Sequence, residues 1–124
     1  MDEPKPIHVD LSDLQPGAHA KIKLAAAVTH GARRAVERAF SEIEDANKRV
    51  DAFTLARIQH MVESWRLTGV DGKPLPEPKA VTLDQLEGVS AAIVRRIDRV
   101  INAEWRAVIG ADEAEDPNVH RASS

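Results

Sequence analysis

Apolar residues recur along most of this chain at the three- and four-residue spacing of amphipathic helices. The spacing predicts three principal helices, with apolar stripes over residues 32–50, 53–65 and 91–108. The pattern therefore predicts a mainly α fold, a compact bundle of three to four principal helices. We expect the stripes to bury one common core, made of Phe40, Leu55, Ile58, Val62, Trp65, Ile97, Ile101 and Trp105.

Capping residues indicate where these helices begin. Thr29 and Asp51 precede the first two stripes and are the expected N-caps, because their side-chain oxygens can accept backbone N–H groups. Thr82 and Gln85, three residues apart, match a capping box. The box predicts a short helix before the last long one.

The chain before the first stripe has no clear helical period. Ile7, Val9 and Leu11 alternate with polar residues, which fits a short half-buried strand and equally fits an extended tail. The segment AHAKIKLAAAV at 18–28 allows a strand by its own alternation, but its alanines favour helix. Helix is the preferred interpretation of this segment.

These patterns divide the chain into three parts. Residues 1–17 form an extended N-terminal arm, and residues 18–110 form a helical domain. The tail at 111–124 is acidic and then polar, a composition typical of disordered segments, and we expect it to be disordered.

One segment interrupts the helices with turn and proline signals. Residues 65–78 read WRLTGVDGKPLPEP, in which Asp-Gly predicts a turn and Pro74, Pro76 and Pro78 oppose helix. The prolines predict an extended strap that Leu75 anchors. The strap serves either as a rigid connector, which we favour, or as a binding site for a partner protein. The candidate partner-binding residues, of which the last three are expected to be exposed, are Trp65, Leu67, Val70 and Leu75.

Composition narrows the classes of function. The 124 residues have a net charge of −3 and contain no cysteine, no tyrosine, two tryptophans and two phenylalanines. The lack of cysteine excludes disulfides, Cys-ligated metals and thiol catalysis. The negative charge and the few aromatic residues disfavour nucleic acid as a partner. No apolar run approaches the roughly 18 residues of a membrane-spanning helix.

No group of side chains indicates catalysis. The five histidines form no H-x-x-x-H pair, so no metal site is expected. The serines lack the context of a nucleophile elbow. The arginines within 33–38 and 95–99 are interleaved with acids and are interpreted as solvated helix faces. We therefore expect no enzymatic activity and no cofactor.

Residues 53–109 combine a helix ending in Trp, a turn with Asp-Gly and prolines, a short capped helix and a long final helix. This order of parts resembles the small helical proteins of the tail module of long-tailed bacteriophages, the tail assembly chaperones. The resemblance covers about half of the chain. The matching residues are Trp65, Asp71, Gly72, Pro74, Pro76, Thr82 and Leu86.

The resemblance implies a non-enzymatic protein that binds the tape-measure protein, aids tail assembly and helps to recruit tail-tube subunits in the host bacterial cytoplasm. Two alternatives remain. The first is a structural virion component, such as a connector or a minor tail protein. The second, less favoured, is a small helical nucleic-acid-binding regulator. The sequence does not fix the oligomeric state, and it is compatible with a homo-oligomer.

Overall fold

The computed structural model describes residues 5–110 of the protein. Helices make up about 54% of that part, and a three-stranded antiparallel sheet accompanies them. The expectation of a mainly helical fold is therefore correct as far as the helices go. It is incomplete, because the sequence did not predict the sheet. The expected tail at 111–124 lies outside the described residues. In chain order the elements are β1 (Ile7–Asp10), β2 (His19–Ile22), a 3₁₀ helix (Ala25–Ala27), α1 (His30–Ser41), α2 (Ala46–Met61), β3 (Val62–Arg66), a second 3₁₀ helix (Pro78–Ala80), α3 (Leu83–Glu87) and α4 (Ala91–Val108).

The sheet has the strand order β1-β2-β3, so β2 is its central strand. Val9 pairs with Ala20, which pairs with Trp65 on the other side. Val9, Ala20 and Ile22 are buried, as alternation predicts for one face of a sheet. The strand interpretation of the N-terminal arm is confirmed. The helix interpretation of 18–28 is wrong, because strand pairing and the burial of Ala20 and Ile22 outweigh the helix propensity of alanine.

The first predicted helix is divided in two. α1 ends at Ser41, and α2 begins after Asp45, whose carboxylate accepts the backbone N–H groups of Asn47 and Lys48 at 2.9 and 3.1 Å. Asp45 is therefore the N-cap, and the assignment of this role to Asp51 is wrong because Asp51 lies inside α2. The apolar spacing continues across the break, which is why periodicity alone did not reveal it.

The second predicted helix ends earlier than expected. α2 stops at Met61, and the next five residues form β3. Val62 pairs with Ile22, and the backbone N–H of Lys23 donates to the Met61 carbonyl at 2.8 Å. The prediction of helix through Trp65 is wrong, because the exposed edge of β2 offers these residues a sheet partner.

The two other predicted caps are confirmed. Thr29 Oγ1 accepts the N–H of Ala32 at 3.1 Å at the start of α1. At α3, Thr82 Oγ1 accepts the Gln85 N–H at 3.2 Å, and Gln85 Oε1 accepts the Thr82 N–H at 2.9 Å. Two N–H groups at the start of this short helix are thereby satisfied, which fixes where the chain turns into α3.

The core lies between the sheet and α1, α2 and α4. Of the eight predicted core residues, those confirmed as buried are Ile58, Val62, Ile97, Ile101 and Trp105. Leu55 and Trp65 are half-buried instead. The prediction for Phe40 is wrong, since its side chain is 39% exposed. It lies near the end of α1, where one ring edge contacts Phe53 and the Arg49 guanidinium lies 5.4 Å from the ring centroid.

A paired arginine links the sheet to the last helix. Arg96 on α4 donates through Nη2 to Asp13 Oδ2 at 3.0 Å and through Nη1 to the Asp10 carbonyl at 3.3 Å. Asp13 follows β1, so these contacts join the N-terminal arm to α4. The hydrogen bond from Arg96 holds the pKa of Asp13 below its ordinary value of 3.8.

Replacement of a core residue on α4 should destabilise the protein strongly. Ile97→Ala removes a side chain that is 1% exposed, and we expect it to lower the free energy of unfolding by about 2–5 kcal/mol. Val70→Ala is the control, because Val70 is 79% exposed; its effect should stay within about 0.5 kcal/mol. Urea unfolding measures both values, and similar effects would contradict the assigned core.

The link between Asp13 and Arg96 should also make stability depend on pH. Because the pKa of Asp13 is lower in the folded state, its contribution is present above the unfolded pKa and is lost as the pH falls through the folded value. Asp13→Asn should therefore lose less stability than the parent protein between about pH 5 and about pH 3. Urea midpoints at both pH values test this, and equal losses would show that the pair does not persist in solution.

Candidate protein-binding groove

The proline strap is held to the fold by backbone and side-chain hydrogen bonds. The Leu75 N–H donates to the Leu67 carbonyl at 3.0 Å, and the Trp65 indole Nε1–H donates to the Pro76 carbonyl at 2.8 Å. Pro78 is buried at the start of the second 3₁₀ helix. These contacts are those of a connector that returns the chain from β3 to α3, as the favoured interpretation expected.

The turn before the strap is formed by the Asp-Gly pair. Gly72 has φ of +84°, a conformation that other residues adopt only with strain. The Lys73 N–H donates to Asp71 Oδ1 at 2.9 Å, and the Val70 N–H donates to the Gly88 carbonyl at 2.8 Å. The turn is thereby fixed against the end of α3.

The four candidate partner-binding residues lie in different environments. Leu67 is only 4% exposed, so the expectation that it is exposed is wrong: its side chain belongs to the core. Val70 is 79% exposed on the turn. Trp65 and Leu75 are half-buried and line a depression of about 540 Å³ beside the strap. The assignment of Trp65, Val70 and Leu75 to a partner stays a prediction.

A second depression, of about 610 Å³, lies between α2, α3 and α4, and we call it the α3 groove. Leu86 and Val89 are nearly buried and form its floor, whereas Leu83 and Val94 are half-buried and form its walls. Val70 lies at the same end of α3 through its hydrogen bond to Gly88. The groove therefore presents an apolar surface with an exposed valine close by.

Sequence reasoning missed this groove. Its apolar signal is visible in Leu83 and Leu86, which follow the capping box, but two leucines three residues apart predict only a short apolar face. The groove exists because the strap places α3 beside α2 and the start of α4, which no local pattern reveals.

Charged residues surround the α3 groove. Asp51, Glu87, Arg95 and Asp98 line it together with the apolar residues. Asp98 pairs with Arg57, whose Nη2 lies 2.8 Å from Asp98 Oδ1. Within residues 5–110, Asp51, Glu87 and Arg95 form no ion pair. The rim therefore carries two carboxylates and one guanidinium that are free to contact a partner.

The partner of Asp98 is a buried arginine on α2. Arg57 is 4% exposed, donates also to Asn102 Oδ1, and its guanidinium lies 4.4 Å from the centroid of the Phe53 ring. Its Nε is buried and has no hydrogen-bond partner among the residues that the structure describes. Burial lowers the pKa of Arg57, and the charge of Asp98 opposes that change. The pair joins α2 to α4 directly behind the groove.

The described residues contain no cluster of three or more His, Cys, Asp or Glu side chains that could hold a metal ion. No helix among them is long and apolar enough to cross a membrane. His8 and His19 stack on the sheet with ring centroids 5.6 Å apart. What the described geometry offers is therefore an apolar groove with a charged rim.

Comparisons with known proteins do not add a family: no protein-family model, no curated protein and no solved structure matches this chain.

Removal of the Asp98 carboxylate should be costly because it leaves the Arg57 charge buried. We expect Asp98→Ala to lower the free energy of unfolding by roughly 3 kcal/mol. The double variant Arg57→Met/Asp98→Leu should recover part of that loss, since no charge then remains buried. Asp51→Ala, on the same rim but unpaired, is the control and should stay within about 0.5 kcal/mol. If the double variant has the lowest free energy of unfolding of the three, the Arg57–Asp98 pair stabilises the fold more than methionine and leucine do in its place.

Proposed function

We propose that this protein is a non-enzymatic assembly chaperone that binds an apolar helical segment of another protein. The observation that carries the proposal is the α3 groove, an apolar surface open to solvent with unpaired carboxylates on its rim. By the resemblance of residues 53–109 to tail assembly chaperones, the client is the tape-measure protein of a phage tail. Binding takes place in the host bacterial cytoplasm.

The groove suits one side of an amphipathic helix. Helices dock into such grooves through apolar side chains spaced three and four residues apart. Leu83, Leu86, Val89 and Val94 supply the apolar contacts, and Asp51 and Glu87 supply negative charge. The client helix we propose therefore has an apolar stripe with lysine or arginine beside it.

The strap contributes to the same surface from the side. Val70 projects from the turn that is hydrogen-bonded to the end of α3. Trp65 and Leu75 line the neighbouring depression. We propose that a longer client extends from the α3 groove over Val70 towards these residues. A chaperone must release its client, so such a contact combines several small apolar areas instead of one deep pocket.

Co-expression with the tape-measure protein tests the proposal. We expect the tape-measure protein to be more soluble with this protein than without it, and the two to co-purify. Val94→Glu places a charge on the groove wall and should abolish co-purification. Ile109→Glu is the matched control, because Ile109 is 41% exposed just beyond α4. It should leave co-purification unchanged.

A second variant distinguishes loss of client binding from loss of folding. Glu87 is exposed, so Glu87→Lys reverses a rim charge without disturbing the core. It should weaken co-purification while the circular dichroism spectrum and the urea midpoint stay unchanged. If the tape-measure protein is equally soluble with and without this protein, and the two do not co-purify, the chaperone function is wrong. A fixed copy number in finished virions would favour a structural tail component.

A further inference from the structure

The exposed side of α1 carries a cluster of basic residues that the proposed function does not use. His30, Arg34 and Arg38 are exposed, Arg33 is half-buried, and the four lie at helical spacings of three and four residues. Together with Glu37 and Ser41 they line a shallow depression of about 470 Å³. We call the four basic residues the α1 basic stripe. None of them lines the α3 groove.

Among residues 5–110, Glu37 is the only carboxylate that lines this depression, and it is already engaged. Glu37 Oε2 lies 3.1 Å from Arg33 Nε, and both side chains remain substantially exposed. Within the described part of the chain, Arg34 and Arg38 have no carboxylate within salt-bridge distance. Two guanidinium groups one helical turn apart are therefore exposed, and no carboxylate of residues 5–110 pairs with them.

Arg38 suits the dipole at the end of α1, but the position of Arg34 works against the helix. Like charges four residues apart destabilise a helix. The first turn of α1 contains no acidic residue, and Arg33 and Arg34 lie close to the positive end of the helix dipole. A sequence that breaks local rules without a gain in the fold indicates a functional constraint. The gain available here is a positive surface.

We propose that the α1 basic stripe is a docking surface for an acidic segment of a partner protein. Two carboxylates one helical turn apart on the partner would contact Arg34 and Arg38, whose positions are separated by about 6 Å along the α1 axis. Each guanidinium can hold a carboxylate by two parallel hydrogen bonds. This surface is separate from the α3 groove, so the protein can hold two partners together.

The chemistry of the stripe favours a protein over a nucleic acid. Glu37 pairs with Arg33 and so lowers the net positive charge of the depression, which disfavours a continuous row of phosphates more than a segment with two carboxylates. No aromatic side chain lines the depression, so bases have no ring on which to stack. The chain as a whole has a net charge of −3, which opposes a long polyanion, whereas a short acidic segment contacts the stripe alone.

Fluorescence anisotropy with the full chain tests this proposal. The probe is a labelled alanine-rich peptide with glutamate at every fourth position, and its glutamine counterpart serves as the uncharged control. We expect saturable binding of the glutamate peptide that weakens with salt, and no binding of the glutamine peptide.

Two double variants distinguish binding at the α1 basic stripe from non-specific attraction to positive charge. Arg34→Gln/Arg38→Gln should weaken peptide binding by about tenfold or more, because it removes both charge-assisted contacts. Lys48→Gln/Arg99→Gln removes the same charge from two exposed side chains on α2 and α4, neither of which lines the α3 groove or the depression on α1. It should change the affinity by less than about twofold. Glutamine keeps a good helix propensity, so both variants should keep the parent circular dichroism spectrum.

Three results would overturn the proposal. The first is the absence of saturable binding of the glutamate peptide. The second is an equal loss in the two double variants, which would show attraction to charge without a site. The third is tighter binding of duplex DNA than of the peptide, with the larger loss in Arg34→Gln/Arg38→Gln, which would assign the stripe to nucleic acid.

Discussion

The direct passage from helix to strand at Met61 is the constraint on which most of this fold depends. Met61 is the last residue of α2 and Val62 is the first of β3, and both are buried. No turn separates the two elements, so the direction of β3 is fixed by α2. The chain then needs a stiff return path to reach α3, which the proline strap provides. The place of α3 beside α2, and with it the α3 groove, follows from this single junction.

The sequence predicted those elements that are stabilised by residues close together in the chain. The inner stripe of α4 and the capping box at Thr82 were readable from the sequence, because helix spacing and capping depend on residues three and four positions apart. The strands at 19–22 and 62–66 were not, because each is stabilised by a partner far away in the chain. Trp65 shows the difficulty: its position extends the apolar spacing of α2, yet its backbone pairs with Ala20.

The candidate site was predictable only in part for the same reason. The sequence identified an apolar, proline-bearing segment, and it could not show which side chains point inward. Leu67 is buried while Val70, three residues later, is exposed, because the strap folds back and its Leu75 N–H bonds to the Leu67 carbonyl. The α3 groove needed three elements to be placed together. Arg57, which supports it, appeared in the sequence as one more helical arginine.

Near each outer strand of the sheet lies a feature that disfavours pairing with a further strand. At β1, the Asp10 carbonyl accepts a hydrogen bond from Arg96. Beyond β3, Thr68 bridges to Pro74, and prolines lack the N–H group that a neighbouring strand would need. Unprotected sheet edges recruit extended chains and promote aggregation. Under the proposed function, a protein that binds apolar segments of other chains would meet that hazard with every client. These contacts disfavour the docking of an extended chain on the sheet, so the proposed client is assigned to the grooves in helical form.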